Sequence, residues 1–171
     1  IDKQTGVPYR FAQLDIHAMG ECGLIGLAID PDFETTKHVF VYYIEPVKGN
    51  PDIGHPVLAR FTERDGRGQD LTILVDDLPN TNPIICGHVS GSLEWGPDGY
   101  LYLSVGDMEL KNPAADLASP LGKVLRVQKD GTSAPSNPYA NIPDTDKRIY
   151  AYGMRNPFGL AFDPKTGHLY Q

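Results

Sequence analysis

The stretch Leu27-Ala28-Ile29-Asp30-Pro31 recurs twice along the chain, as Leu93-Glu94-Trp95-Gly96-Pro97 and as Leu160-Ala161-Phe162-Asp163-Pro164. The prolines of the three copies lie 66 and 67 residues apart. In each copy apolar side chains alternate, the chain turns at proline, and a second alternating run follows over residues 38–43, 100–105 or 168–170. Alternation on both sides of a short turn is typical of a β-hairpin. The sequence therefore predicts one hairpin in each repeat.

The length of the repeat indicates how the hairpins are arranged. Further strand-like runs at residues 56–62 and 122–127 would enlarge each hairpin to a larger sheet. Sheets that repeat at a regular period are typical of β-propeller blades. We therefore expect an all-β fold with blades over residues 1–80, 81–147 and 148–171. Propellers close with about four to eight blades, so roughly two and a half blades would form one incomplete domain. A small closed β-sandwich is the alternative.

The composition agrees with short strands joined by turns and limits the classes of partner. The 171 residues include 18 Gly and 15 Pro, which favour turns over long helices. There are 22 acidic and 15 basic side chains, a net charge of -7, and no basic cluster. This balance argues against a nucleic acid or an anionic membrane as partner. No apolar run approaches the roughly 20 residues that span a bilayer, so we expect no membrane insertion.

The repeat also aligns polar residues of different blades. His88 and Arg155 each lie nine residues before the proline of their repeat, and Cys22, next to Glu21, lies nine before the first. Equivalent positions in successive blades face one channel, where loops converge on a ligand. The spacing therefore predicts that a histidine, a cation and a carboxylate share one pocket.

Four segments in this order carry a family resemblance. They are Gly20-Glu21-Cys22-Gly23-Leu24-Ile25-Gly26, His88-Val89-Ser90-Gly91-Ser92, Leu121-Gly122-Lys123-Val124-Leu125-Arg126 and Tyr152-Gly153-Met154-Arg155-Asn156-Pro157. The set resembles the soluble aldose sugar dehydrogenases that use pyrroloquinoline quinone, in the glucose/sorbosone dehydrogenase family. The resemblance covers nearly the whole chain from about Tyr9, and it implies a six-bladed propeller.

The resemblance also implies roles for five residues. His88 would be the general base that takes the proton of the anomeric hydroxyl, and Asp107 would bind its second ring nitrogen. Arg155 and Asn156 would contact the cofactor, whose carboxylates and quinone oxygens suit a guanidinium and an amide. Glu21 would lie beside the cofactor. Without the resemblance, Asp107 after glycine also suits a turn, and Glu21 also suits a solvated position.

Acidic residues at the hairpin tips raise the question of a metal. Asp30, Asp32, Asp98 and Asp163 adjoin Pro or Gly, where turn chemistry accounts for them, so we assign no metal to them. The resemblance implies calcium, with ligands mostly beyond Gln171. Two departures from the family pattern, Gly87 in place of an acidic residue and Ser92 in place of a basic one, indicate a different or broader aldose preference; a relative that has lost activity is the alternative.

Cys22 and Cys86 flank proposed pocket residues in neighbouring blades. We hypothesise that they form a disulfide, which would join the two blades beside the cofactor. Two independent buried thiols are the alternative.

We therefore expect a periplasmic or secreted enzyme that oxidises aldoses to lactones and is reoxidised by a diffusible electron acceptor. The isolated 171 residues are expected to be inactive. One alternative is a non-catalytic propeller that binds a protein or a glycan, because one fold hosts many functions. Another is a calcium-dependent propeller lactonase.

Overall fold

The computed structural model describes residues 1–2, 4–81, 84–110 and 112–171. In this part of the chain the regular structure is almost entirely β, as expected from the sequence. The helical segments are short: α1 covers Phe33–Thr36, and a 3-10 helix covers Pro113–Ala115.

The first sheet is an antiparallel meander of four strands. In chain order they are β1 Leu24–Ile29, β2 His38–Val47, β3 Asn50–Arg64 and β4 Arg67–Val75, and each pairs with the next. The turn between β3 and β4 is Asp65-Gly66, and both residues have positive φ, 52° and 75°. This is the backbone that a two-residue hairpin requires, and Asp-Gly supplies it at low cost.

The second sheet repeats the same order. Its strands are β5 Ser90–Trp95, β6 Leu101–Val105, β7 Lys123–Val127 and β8 Ile149–Tyr152, again antiparallel. Every residue of β6 and β7 is buried, because these central strands are covered on both faces. The sheet extends to Tyr152, past the boundary that we expected at residue 147. The repeated motif marks only the first strands of each sheet and carries no signal for the last one.

The third copy of the motif forms a small hairpin. Its strands are β9 Ala161–Phe162 and β10 Leu169–Tyr170, which pair with each other. All three predicted hairpins are therefore present, and the antiparallel all-β class is confirmed.

The main core lies between the first two sheets. Phe40, Tyr42 and Leu58 of the first sheet form one cluster with Leu103 and Leu125 of the second, and each of the five is fully buried. The first strands of the two sheets, β1 and β5, pack directly on each other. A side chain at Gly26 of β1 would overlap the carbonyl oxygen of Gly91 in β5, so this approach requires glycine.

Ion pairs also join the two sheets. Lys129 donates to Asp30 at 2.6 Å and to Asp32 at 2.8 Å. Burial raises the pKa of Asp30, but the hydrogen bonds from Lys129, the Asp32 amide and Thr36, together with the charge of Lys129, outweigh burial and hold the pKa below its ordinary value. We expected turn chemistry alone for this motif; the structure adds a contact between sheets, because the tip of one hairpin meets the β7–β8 connection of the next sheet.

Of the helices in the described ranges, none has both the length and the apolar character that a bilayer crossing would require.

Candidate active site

The candidate site lies at one edge of the two sheets. His88 precedes β5, and Asp107 follows β6. Since Ser90 at the start of β5 pairs with Val105 at the end of β6, the two loops leave the second sheet side by side. Glu21 precedes β1 and Asn156 precedes β9, so the loops before three first strands meet here.

His88 and Asp107 form the centre of the site. His88 Nδ1 and Asp107 Oδ1 are 2.7 Å apart, and the side chains are 10% and 17% exposed. An ionised carboxylate only accepts hydrogen bonds, so the imidazole carries its proton on Nδ1 and leaves a lone pair on Nε2. Gly106 permits the close approach, because a Cβ there would overlap the carbonyl oxygen of His88. The local fold thus orients Nε2 as a proton acceptor.

The backbone of the site is strained on both sides of this pair. His88 and Ser90 have φ of 50° and 51°, and Met108 and Glu109 have φ of 54° and 56°. Side-chain-bearing residues adopt this left-handed region at a cost of order 1 kcal/mol or more each. The Met108 amide donates to the His88 carbonyl oxygen at 3.2 Å, which ties the two strained loops together. Such strain is typical of functional sites.

A second network joins the three loops that precede first strands. Asn156 Nδ2 donates to Glu21 Oε2 at 3.1 Å, and Ser90 Oγ donates to Asn156 Oδ1 at 2.9 Å. The Val89 amide donates to Glu21 Oε2 at 3.4 Å. Glu21 and Asn156 therefore lie next to the His88 loop.

Arg155 reaches the site through its backbone. Its carbonyl oxygen accepts a hydrogen bond of 2.9 Å from the amide of Asp107. Its side chain is exposed to solvent. The structure thus joins His88 to Asp107 and Glu21 to Asn156 by side-chain contacts, and it brings Arg155 to the site by its backbone, with an exposed side chain.

The hypothesised disulfide is present. Cys22 and Cys86 are bonded, with Cα atoms 5.7 Å apart, a separation usual for the bridge. The Glu21 amide donates to the Cys86 carbonyl oxygen at 2.8 Å. The bridge and this hydrogen bond hold the loop of Glu21 against the loop of His88, so the disulfide helps to set the geometry of the site.

Glu109 is a site residue that the sequence reasoning missed. Its Oε1 lies 3.4 Å from His88 Nε2, and its side chain is 30% exposed. The sequence feature that could have indicated Glu109 is a second acidic residue two positions after Asp107. A spacing of two does not by itself indicate a shared site, because acidic side chains are frequent in solvated loops.

The acidic hairpin tips have protein partners. Asp98 accepts hydrogen bonds from Arg126 Nε at 2.8 Å and from the Tyr102 hydroxyl at 2.9 Å. Asp163 accepts from the Lys165 amide and the Thr166 hydroxyl of its own turn. Among the described residues, the group with metal-ligand spacing is His17, Cys22 and Cys86, whose two sulfur atoms are joined in the disulfide.

The donor set agrees in part with an anionic quinone cofactor. The exposed guanidinium of Arg155 can bind a carboxylate, and the amide of Asn156 can exchange its protein partners for a ligand. Pyrroloquinoline quinone carries three carboxylates, and the single guanidinium of Arg155 does not neutralise them. The residues described here are therefore suited to one side of such a ligand.

Comparison with known protein families shows to which family the chain belongs. A family model described as glucose/sorbosone dehydrogenase matches residues 2–171. The chain belongs to the glucose/sorbosone dehydrogenase family. The resemblance drawn from four short segments is confirmed over nearly the whole chain.

Three curated relatives show the range of this glucose/sorbosone dehydrogenase relationship. The chain is 26% identical over 169 residues to an aldose sugar dehydrogenase of Escherichia coli, covering 97% of this chain and 43% of the relative. It is 31% identical over 176 residues to quinoprotein glucose dehydrogenase B of Acinetobacter calcoaceticus, covering 90% and 36%. It is 26% identical over 179 residues to the hedgehog-interacting protein of Mus musculus, covering 91% and 24%. The chain spans less than half the length of these relatives.

Solved structures of this family superpose well on the chain. A candidate oxidoreductase (glucose dehydrogenase) from Thermus thermophilus gives a TM-score of 0.89 at 34% identity, covering 97% of this chain and 49% of that one. The PQQ-bound aldose sugar dehydrogenase of Streptomyces coelicolor gives 0.82 at 27% identity, covering 99% and 47%. The arrangement of the sheets is therefore that of sugar dehydrogenases in this family.

Proposed function

We propose that the chain contributes part of the active site of a six-bladed β-propeller quinoprotein that oxidises aldoses at the anomeric carbon to lactones. The observation that carries this proposal is the His88–Asp107 pair, 2.7 Å apart and largely buried, at the edge where three loops meet. Relatives named as aldose sugar and quinoprotein glucose dehydrogenases support the reaction class.

His88 is the general base in this proposal. Its Nε2 lone pair takes the proton of the anomeric hydroxyl, and a histidine suits this step because its two protonation states lie close in energy near neutral pH. Asp107 keeps the other ring proton on Nδ1 and stabilises the imidazolium that forms. Pyrroloquinoline quinone, when bound, would supply the two-electron acceptor for the hydride of the anomeric carbon.

Arg155, Asn156 and Glu21 hold the cofactor side of the site. The Arg155 guanidinium would bind an anionic oxygen of the cofactor, and the Asn156 amide would donate a hydrogen bond to it. Glu21 orients Asn156 through the 3.1 Å hydrogen bond already present. Calcium takes its ligands from outside this set.

The partners and the compartment follow from the same proposal. The substrate is an aldose, and a diffusible electron acceptor reoxidises the reduced cofactor. The Cys22–Cys86 disulfide supports a periplasmic or secreted location, since such bonds persist in oxidising compartments.

The test is a dye-reduction assay of the full-length protein reconstituted with pyrroloquinoline quinone and calcium, with several aldoses. We expect turnover by the wild type and a loss of at least roughly 100-fold in kcat for His88→Ala. The matched control is His168→Ala, which removes an exposed histidine from the loop before β10. Activity that survives in His88→Ala would eliminate the proposed base.

A second candidate function is supported by one observation. The match to the hedgehog-interacting protein covers 91% of the chain, which agrees with a non-catalytic propeller that binds a protein or a glycan. Titration with pyrroloquinoline quinone separates the two candidates. Absence of cofactor binding by the full-length protein would favour the non-catalytic function.

A further inference from the structure

Glu109 lies beside Nε2 of His88, the proposed catalytic base. It follows β6 in the same loop as Asp107, and its amide donates to Asp107 Oδ1 at 2.9 Å. That oxygen also contacts His88 Nδ1. One carboxylate oxygen therefore positions both the imidazole and the backbone of Glu109.

The Glu109 side chain fills a space that Gly87 leaves open. A Cβ built on Gly87 would come within 3.0 Å of Glu109 Oε1, closer than ordinary contact distance. Gly87 lies outside the left-handed region of φ, so its conformation alone does not require glycine. A side chain at residue 87 would therefore press on the Glu109 carboxylate and shift it.

The contact between Glu109 and His88 joins two acceptors. With the ring proton on Nδ1, His88 Nε2 offers a lone pair, and an ionised carboxylate offers only lone pairs. Their separation of 3.4 Å does not let them satisfy each other. Two acceptors at this spacing match two hydroxyl donors on neighbouring carbon atoms, whose oxygens lie at a comparable separation.

We propose that Glu109 determines specificity by accepting a hydrogen bond from the hydroxyl on the carbon next to the anomeric carbon. This inference rests on the proposed function, in which His88 Nε2 receives the anomeric hydroxyl proton. The substrates it selects are aldoses with a free 2-hydroxyl. Sugars that lack this group or carry a bulky substituent there are disfavoured, because the carboxylate would lose its donor or meet a clash.

The test compares kcat/KM for glucose and 2-deoxyglucose in the full-length protein with pyrroloquinoline quinone and calcium. We expect the wild type to prefer glucose by roughly 10-fold or more. In Glu109→Ala, kcat/KM for glucose should fall by a similar factor while that for 2-deoxyglucose changes little. Gly87→Ala should shift the ratio in the same direction, since its Cβ displaces the carboxylate. Glu34→Ala, which removes an acid whose side chain is 95% exposed, is the control for charge.

The outcomes separate this inference from the proposed function. A glucose preference that is unchanged in both Glu109→Ala and Gly87→Ala would overturn the inference alone. A rise in kcat/KM for glucose in Glu109→Ala would also overturn it, since the carboxylate would then compete with the substrate for Nε2. Failure of the wild type to oxidise any aldose would overturn the proposed function and the inference with it.

Discussion

Removal of the Cys22–Cys86 disulfide tests how much this bond stabilises the folded protein. Cys22 and Cys86 are 64 residues apart in sequence, and their bond closes a loop that contains the whole first sheet. The chain-entropy relation for a loop of this length gives about 4 kcal/mol of stabilisation, from restriction of the unfolded state. We therefore expect Cys22→Ala/Cys86→Ala to lower the free energy of unfolding by about 4 kcal/mol.

Guanidinium chloride denaturation is the assay, with and without a thiol reductant. Alanine is the better replacement because Cys86 is 1% exposed, and serine would bury a hydroxyl there. Reductant should destabilise the wild type by an amount close to the effect of the double substitution. It should leave the double variant unchanged, which makes that variant the matched control.

Two results would refute this reasoning. One is a double variant within about 1 kcal/mol of the wild type, which would mean that residual structure already restricts the unfolded chain without the bond. The other is an equal effect of the reductant on both proteins, which would show that it acts elsewhere.

Three further predictions concern the site and two buried charges. Asp107→Asn should lower kcat by roughly 1000-fold or more, because the amide no longer holds the proton on Nδ1 of His88; steady-state kinetics close to those of the wild type would contradict this role. Lys129→Met should lower the free energy of unfolding by about 2 kcal/mol in urea denaturation near neutral pH, because the buried Asp30 loses its cation. The effect is limited to this size because Lys129 is itself 34% exposed. The pKa of Asp30 is lower in the folded state, so its contribution is present above its ordinary value of 3.8 and lost as the pH falls through the folded value; acid unfolding curves of wild type and variant that coincide would exclude the ion pair as its cause. Burial lowers the pKa of Lys123 from 10.5 to about 8. The folded protein therefore releases this proton first, and stability should rise with pH between about 8 and 10.5 by up to about 3 kcal/mol relative to Lys123→Met; parallel stability profiles over this range would show that Lys123 does not titrate there.

The repeat was readable in the sequence because each hairpin has a periodic pattern and a turn of its own. The three copies of the Leu27 motif correspond to β1, β5 and β9 with the strands that follow them. Strand β8 was not among the predicted strands, since Ile149–Tyr152 is short and lies outside the repeated motif. Its position depends on hydrogen bonds to β7, which lies more than 20 residues earlier.

Part of the site could be predicted from the same register. Glu21 lies one residue from the position equivalent to His88 in the first repeat, and the structure places the two residues in contacting loops. Glu109 could not be found in this way. Its approach to His88 depends on the left-handed turn at Met108 and Glu109 and on the space above Gly87, neither of which has a periodic signature.

The sequence by itself determined the all-β class and the period of the repeat, because these depend on local alternation and on the spacing of turns. It also aligned His88 with Arg155, one residue from register with Glu21, and four ordered segments carried the resemblance to the family. Only the tertiary structure decided which of the aligned side chains touch. The 2.7 Å contact between His88 and Asp107, the bond between Cys22 and Cys86 and the carboxylate of Glu109 beside Nε2 arise where loops from different strands converge. Such convergence depends on the packing of sheet against sheet, which no single stretch of sequence encodes.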